Sequence, residues 1–162
     1  VRGGGQESGL RAGTENVPGI IGYGVAAETA VQQLKSFNQL CLLRNEIEKR
    51  LLDIEASIAV FGQNMKRLPN TSKFATPGLA SEIQVMAFDL DGVSISAGSA
   101  CSAGRIEAPY VLSAMGVGDD LAKCAVRVSL GWTTTRFDVD RLITSYGALC
   151  ARQFDLHTLN KT

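Results

Sequence analysis

The spacing of apolar residues changes at Ser57, and that change restricts the chain to a mixed class of fold. Before it, Leu40, Leu43, Ile47, Leu51 and Ile54 recur every three or four residues, the spacing of one helix face. Glu46 and Arg50 form an i,i+4 pair on the outer side, so this charge run reads as solvated surface, as does Asp119-Asp120. After Ser57, Ile58 and Val60 alternate with smaller neighbours up to Gly62, as in a short strand. Further upstream Asn16 is placed to cap a helix with Pro18 near its first turn, and Ile20, Ile21, Val25, Ala26 and Val31 follow at helical spacing. A break between the two helical stretches is expected near Ser36 to Asn38.

Downstream, Pro69-Asn70-Thr71 marks a turn before a strand over 72–76, and Ser81 with Gln84 spells a capping box for a helix that Asp91-Gly92 stops. Val93 and Ile95 read as another strand. Pro109 opens a short helix closed by Gly116. The stretch Val126 to Leu130 alternates so that Arg127 and Ser129 share one face. Thr135 and Asp138 give a second capping signature, leading into a helix with Val139, Leu142, Ile143, Tyr146 and Leu149 in one stripe. Long helices followed by a small antiparallel sheet with helices on one face make an α+β fold.

Composition excludes several kinds of function. Sixteen Lys plus Arg balance sixteen Asp plus Glu, so no net field draws nucleic acid or an anionic membrane. The longest weakly polar stretch, 17–27, contains Pro18 and three glycines and falls short of the roughly 20 residues of a membrane span. Cys41, Cys101, Cys124 and Cys150 show no C-x-x-C spacing, and the single His157 has no companions, so neither a disulfide framework nor a metal site is expected and a cytoplasmic setting is. The chain starts at Val1, with no leader before a glycine-rich segment, and is expected to be cut from something longer.

Three places offer chemistry. Residues 3–14 contain five glycines, with Arg11 and Thr14 beside glycine-exposed amides; this is material for a phosphate or carboxylate, or simply a turn. Cys101 lies among small residues from Ala97 to Gly104, where its thiol is accessible: a nucleophile, if something outside its neighbourhood activates it, or a bystander. Arg127 is a carboxylate-binding fork or a solvated strand arginine.

The stretches GGGQESGLRAGTENVP at 3–18, SAGSACSAG at 96–104 and RVSLGW at 127–132 together resemble the cysteine desulfurases, enzymes of the class V aminotransferase type. Pro69-Asn70-Thr71 and Val111 to Gly116 extend the resemblance over essentially the whole chain, to the C-terminal part of the group with a long cysteine loop. The resemblance implies the small C-terminal domain of a fold-type I, pyridoxal-phosphate-dependent transferase. It divides the chain into a glycine-rich active-site loop at 1–15 belonging to the cofactor domain, connecting helices at 16–55, and the small α+β domain at 56–162. It implies that L-cysteine becomes L-alanine while its sulfur passes to Cys101 as a persulfide, for delivery to an iron–sulfur scaffold or another sulfur acceptor. Arg127 matches the substrate-carboxylate ligand, and Thr14 matches the contact to the cofactor phosphate of the neighbouring subunit, which implies a homodimer. The lysine that holds the cofactor, with its stacking His and ring-nitrogen Asp, falls upstream of residue 1. This chain alone is therefore expected to hold no covalent cofactor and to be inactive, with apolar surface exposed on its first helices. Two alternatives stand beside this: an interaction module presenting the Cys101 loop without chemistry, and a selenocysteine lyase.

Overall fold

A computed structural model describes residues 3–98 and 110–159, with 154–159 by backbone alone. Two compact units divide within the second long helix: 1–36 and 37–162.

In the first unit, helix α1 spans Val17–Gln32. As its sequence predicts, the Asn16 side chain accepts a hydrogen bond from the Gly19 N–H at 3.2 Å, with Pro18 in the first turn. No α1 residue is buried; Ile20, Ile21, Tyr23, Val25 and Val31 are each more than half exposed. Helix α1 closes where the Gln33 N–H donates to the Thr29 carbonyl, and α2 follows at once over Leu34–Ile54. The break thus lies at Gln33, not at 36–38. Ser36 and Asn38 are weak helix formers, but the packing that starts at Leu40 carries them within α2 with their side chains in solvent.

The second unit is built on a four-stranded antiparallel sheet, β1 (Ala59–Val60), β2 (Thr71–Ala75), β3 (Ser96–Ala97) and β4 (Ala125–Ser129), in the order β1-β2-β4-β3. One face carries Phe74, Val126 and Val128. Against it pack Ile47 and Leu51 of α2, Phe88 of α3 (Ser81–Leu90), and the stripe Val139, Leu142, Ile143, Tyr146 and Leu149 of α6 (Arg136–Leu159). Each such side chain contributes about 1.5–3 kcal/mol by leaving water. Phe74 and Tyr146 meet edge to face at 6.1 Å, and the Tyr146 hydroxyl shares a 2.9 Å hydrogen bond with Thr76. The two short helices α4 (Tyr110–Ala114) and α5 (Asp119–Ala122) pack on the other face, at its Ala75 and Ala125 end, through Leu112 and Ala122. The α+β class and the antiparallel sheet are as expected, with this small second layer added.

Three local expectations change. The Ser81/Gln84 capping box does not form: Ala80 is the N-cap and no side chain caps it. Gln84 is fully buried instead, and its Nε2 donates to the carbonyls of Leu79 (2.9 Å) and Cys124 (2.8 Å), which satisfies its amide nitrogen away from water. The strand expected at Val93 and Ile95 lies at Ser96–Ala97. Val93 is used by the end of α3: Gly92 adopts φ +69°, its N–H donates to Asp89, and the Val93 N–H donates back to Phe88 at 2.8 Å. Finally, the charges of α2 are not all solvated. Glu48 is buried and takes Arg67 in a bidentate pair, 2.6 Å at each oxygen, while Arg44 donates to the Leu68 carbonyl at 2.7 Å, so α2 pins the segment leading into β2.

Candidate functional site on the open sheet face

Strand β4 has a neighbour on each side, which fixes its alternation: with Val126 and Val128 in the core, Arg127 and Ser129 must face the other way. The register sets Lys73 of β2 and Ser96 of β3 directly opposite Arg127, making a row Lys73–Arg127–Ser96 across three strands. Thr71 and Ser129 are paired next to it. The apolar layer of α4 and α5 covers the Ala75 and Ala125 level. Lys73, Arg127 and Ser96 are half-buried. The guanidinium of Arg127 makes one long contact, 3.5 Å from Nη2 to the Ser96 hydroxyl. Among the described residues neither Lys73 nor Arg127 has a carboxylate partner. Desolvation, and next the charge of Arg127, hold the Lys73 ammonium below its ordinary pKa. A row of donors with no internal acid is suited to an anion, and a planar fork in it to a carboxylate. Arg127 was legible from strand alternation. Lys73 was not, because only the register with β4 brings it to the same face.

Thr14 lies in the first unit. Its loop turns at Gly13, φ +94°, and includes left-handed Glu7 and Ser8, φ +51° and +54°. A non-glycine residue held there costs roughly 1–3 kcal/mol. Arg11 Nη1 donates to the carbonyls of Gly13 (3.1 Å) and Thr14 (2.9 Å), so this guanidinium is partly used in closing the loop. The Thr14 side chain is exposed.

Cys101 lies outside the described residues, between β3 and α4. Cys41 is half-buried, and Cys124 and Cys150 are buried free thiols. The Cys124 thiol donates to the Asp120 carbonyl at 3.3 Å, and burial pushes the Cys150 thiol up, away from the reactive thiolate. The His157 side chain is also outside the described set. Among the described residues no cluster of His, Cys, Asp and Glu is placed to hold a metal ion, and no helix is long and apolar enough to cross a membrane.

Comparison with known proteins identifies the family. The cysteine desulfurase of Gluconacetobacter diazotrophicus is 40% identical over 153 residues, covering 94% of this chain and 38% of that protein. The cysteine desulfurase NifS of Azotobacter vinelandii is 38% identical over 153 residues, with the same coverage of 94% and 38%. The crystal structure of a NifS-like protein from Rickettsia africae superposes with a TM-score of 0.80 at 31% identity, over 93% of this chain and 39% of that one. The chain thus spans less than two fifths of the length of these relatives. The aminotransferase class-V profile matches residues 3–142, and the chain belongs to that family.

Proposed function

We propose that this chain is the C-terminal part of a cysteine desulfurase, and that Arg127 binds the carboxylate of L-cysteine. The observation that carries the reading is the position of Arg127: on an inner strand, without an acidic partner among the described residues, and beside β3, from which the Cys101 segment departs. Cys101 follows Ser96 by five residues, and an extended chain covers at most about 3.6 Å per residue, so the two lie within roughly 18 Å of each other. That tether allows a thiol to reach a substrate held at Arg127 and then turn to an acceptor.

In the step assigned to Cys101, its thiolate attacks the sulfur of L-cysteine. A sulfur–sulfur bond forms and the carbon–sulfur bond breaks. The carbon keeps that bond's electron pair and takes a proton, giving L-alanine and a persulfide on Cys101. Arg127 holds the carboxylate so that the sulfur points to the incoming thiolate. Pyridoxal phosphate supplies the electron sink for this cleavage. Of the residues assigned to it, Thr14 belongs to this chain. Its exposed side chain, beside left-handed Gly13 in a loop closed by Arg11, fits a phosphate contact made to a second subunit of a homodimer. Residues 1–15 would then complete a cofactor domain, 16–55 connect it, and 56–162 form the small domain; the recipient of the persulfide is an iron–sulfur scaffold or another sulfur acceptor in the cytoplasm. Without the cofactor lysine this chain alone releases no sulfide.

The test is alanine and sulfide release from L-cysteine with added pyridoxal phosphate, measured on this chain and on a chimera carrying the upstream part of the Azotobacter vinelandii protein. Activity in the chimera alone, lost with Cys101→Ala, is the expected result. Turnover by this chain itself overturns its assigned inactivity, and none in either favours a module that only presents the Cys101 segment. Selenocysteine turned over much faster than cysteine by the chimera favours a selenocysteine lyase.

A further inference from the structure

We propose that Lys73 is a second ligand of the carboxylate bound at Arg127, so that the substrate's acid group is held between two cations on neighbouring strands. The inference rests on the reading of Arg127 as the substrate-carboxylate ligand and adds to it a residue that no motif marks.

Two observations carry it. The first is register: Lys73 and Arg127 are direct cross-strand partners, side chains on the same face, at a separation where like charges repel and lower the stability of the sheet. The second is what is missing around them. The ion pairs of the second unit use Arg50, Arg67 and Arg136 with Glu46, Glu48 and Asp140, yet among the described residues no acid approaches Lys73 or Arg127. Among the described residues a half-buried ammonium and a half-buried guanidinium therefore stand side by side without an ion-pair partner, with hydroxyls of Ser96 and Ser129 on the same face. Burying like charges together is unfavourable unless an anion completes the set. The depressed pKa of Lys73, set by desolvation and then by Arg127, is consistent with this repulsion.

The division of labour follows from side-chain chemistry. Arg127 supplies a planar fork that fixes the orientation of a carboxylate, whereas Lys73 supplies a point charge on a flexible stem that adds attraction without demanding a second geometry. A single carboxylate between them leaves its amino acid free to extend along the open face.

The test titrates acetate, as a bare carboxylate, into the 15N-labelled chain at constant ionic strength, following amides 71–75, 96–97 and 125–129. The wild type is compared with Lys73→Gln, Lys73→Arg and Arg127→Gln. Saturable shifts centred on these strands are expected, weakened roughly fivefold by Lys73→Gln, as for a half-exposed ion pair. Lys73→Arg is expected to stay within about twofold, since the charge is kept, and Arg127→Gln to lose on the order of tenfold. Equal binding by wild type and Lys73→Gln, with loss in Arg127→Gln, overturns the role of Lys73 and leaves Arg127 intact. No saturable shift at these strands overturns both.

L-alanine displacing acetate from the same residues supports the amino-acid reading. Acetate binding that L-alanine fails to displace keeps the cation pair as a carboxylate site and removes the amino acid as its ligand. A thermal melt at low ionic strength guards against a merely structural explanation. Lys73→Gln is expected to unfold at the same or a higher temperature than wild type, because a repulsion is gone; a lower midpoint overturns the proposal.

Discussion

Helix α1 carries Ile20, Ile21, Tyr23, Val25 and Val31 and buries none of them, whereas the more polar α6 buries Val139, Leu142, Ile143, Tyr146 and Leu149. The difference lies in what each helix meets. The apolar residues of α6 meet one face of a sheet. Those of α1 also recur at helical spacing, but within the described residues none of them is buried. Apolar content and periodicity therefore do not by themselves identify a core; a core also needs a surface at matching spacing. On the proposed function, α1 is one of the helices at 16–55 that connect the cofactor domain to the small domain.

The strongest attack on this comparison is a pair of substitutions. Phe74→Ala, at the centre of the sheet core, is expected to cost about 3–5 kcal/mol in urea unfolding, while Ile21→Ser on α1 is expected to change stability by less than about 0.5 kcal/mol and to reduce binding of an apolar dye. Comparable losses from both would mean that α1 is packed after all. Next in size is Glu48→Gln, which leaves the Arg67 guanidinium without its bidentate partner. A loss of about 2 kcal/mol is expected by the same measurement, less than for a fully enclosed pair because Arg67 keeps some contact with solvent.

The smallest effect separates the two helix starts by pH. Asp138 accepts from the backbone N–H of Thr135 at 2.7 Å and from its hydroxyl at 2.8 Å, and these bonds hold its carboxyl below its ordinary pKa. A group whose folded pKa is depressed contributes stability above its unfolded value, about 3.9, and loses it as pH falls through the folded one. The cap of α1 is the amide of Asn16, which does not titrate in this range. Thermal midpoints are therefore expected to fall below about pH 4, and to fall less in Asp138→Asn. An identical acid profile in both proteins would place the sensitivity elsewhere.

Much of this was legible in the sequence, for reasons particular to each element. The α6 stripe, the Asn16 cap, the Gly92 and Gly116 stops and the facing of Arg127 all follow from repeats or turns local enough to need no knowledge of the fold. Several of the errors share one cause: the deciding partner lies far along the chain. Gln84 reads as a capping residue, but the carbonyl of Cys124, forty positions on, recruits it. Glu48 reads as surface until Arg67 folds over it. A two-residue strand such as β3 has almost no periodicity of its own, and only the edge of β4 defines it. Lys73 was overlooked for the same reason, since its significance comes from the residue opposite.

The central place of β4 also bears on timing. A strand laddered on both sides, backed on one face by the main core, sits at the slow end of local opening; its amides are expected to exchange hydrogen only when the whole unit unfolds. The mount of Arg127 is thus expected among the longest-lived parts of the backbone, together with β2. On the proposed function, whatever rearranges around it during a catalytic cycle would do so against a fixed reference, and the direction in which a carboxylate is gripped would be preserved from one turnover to the next.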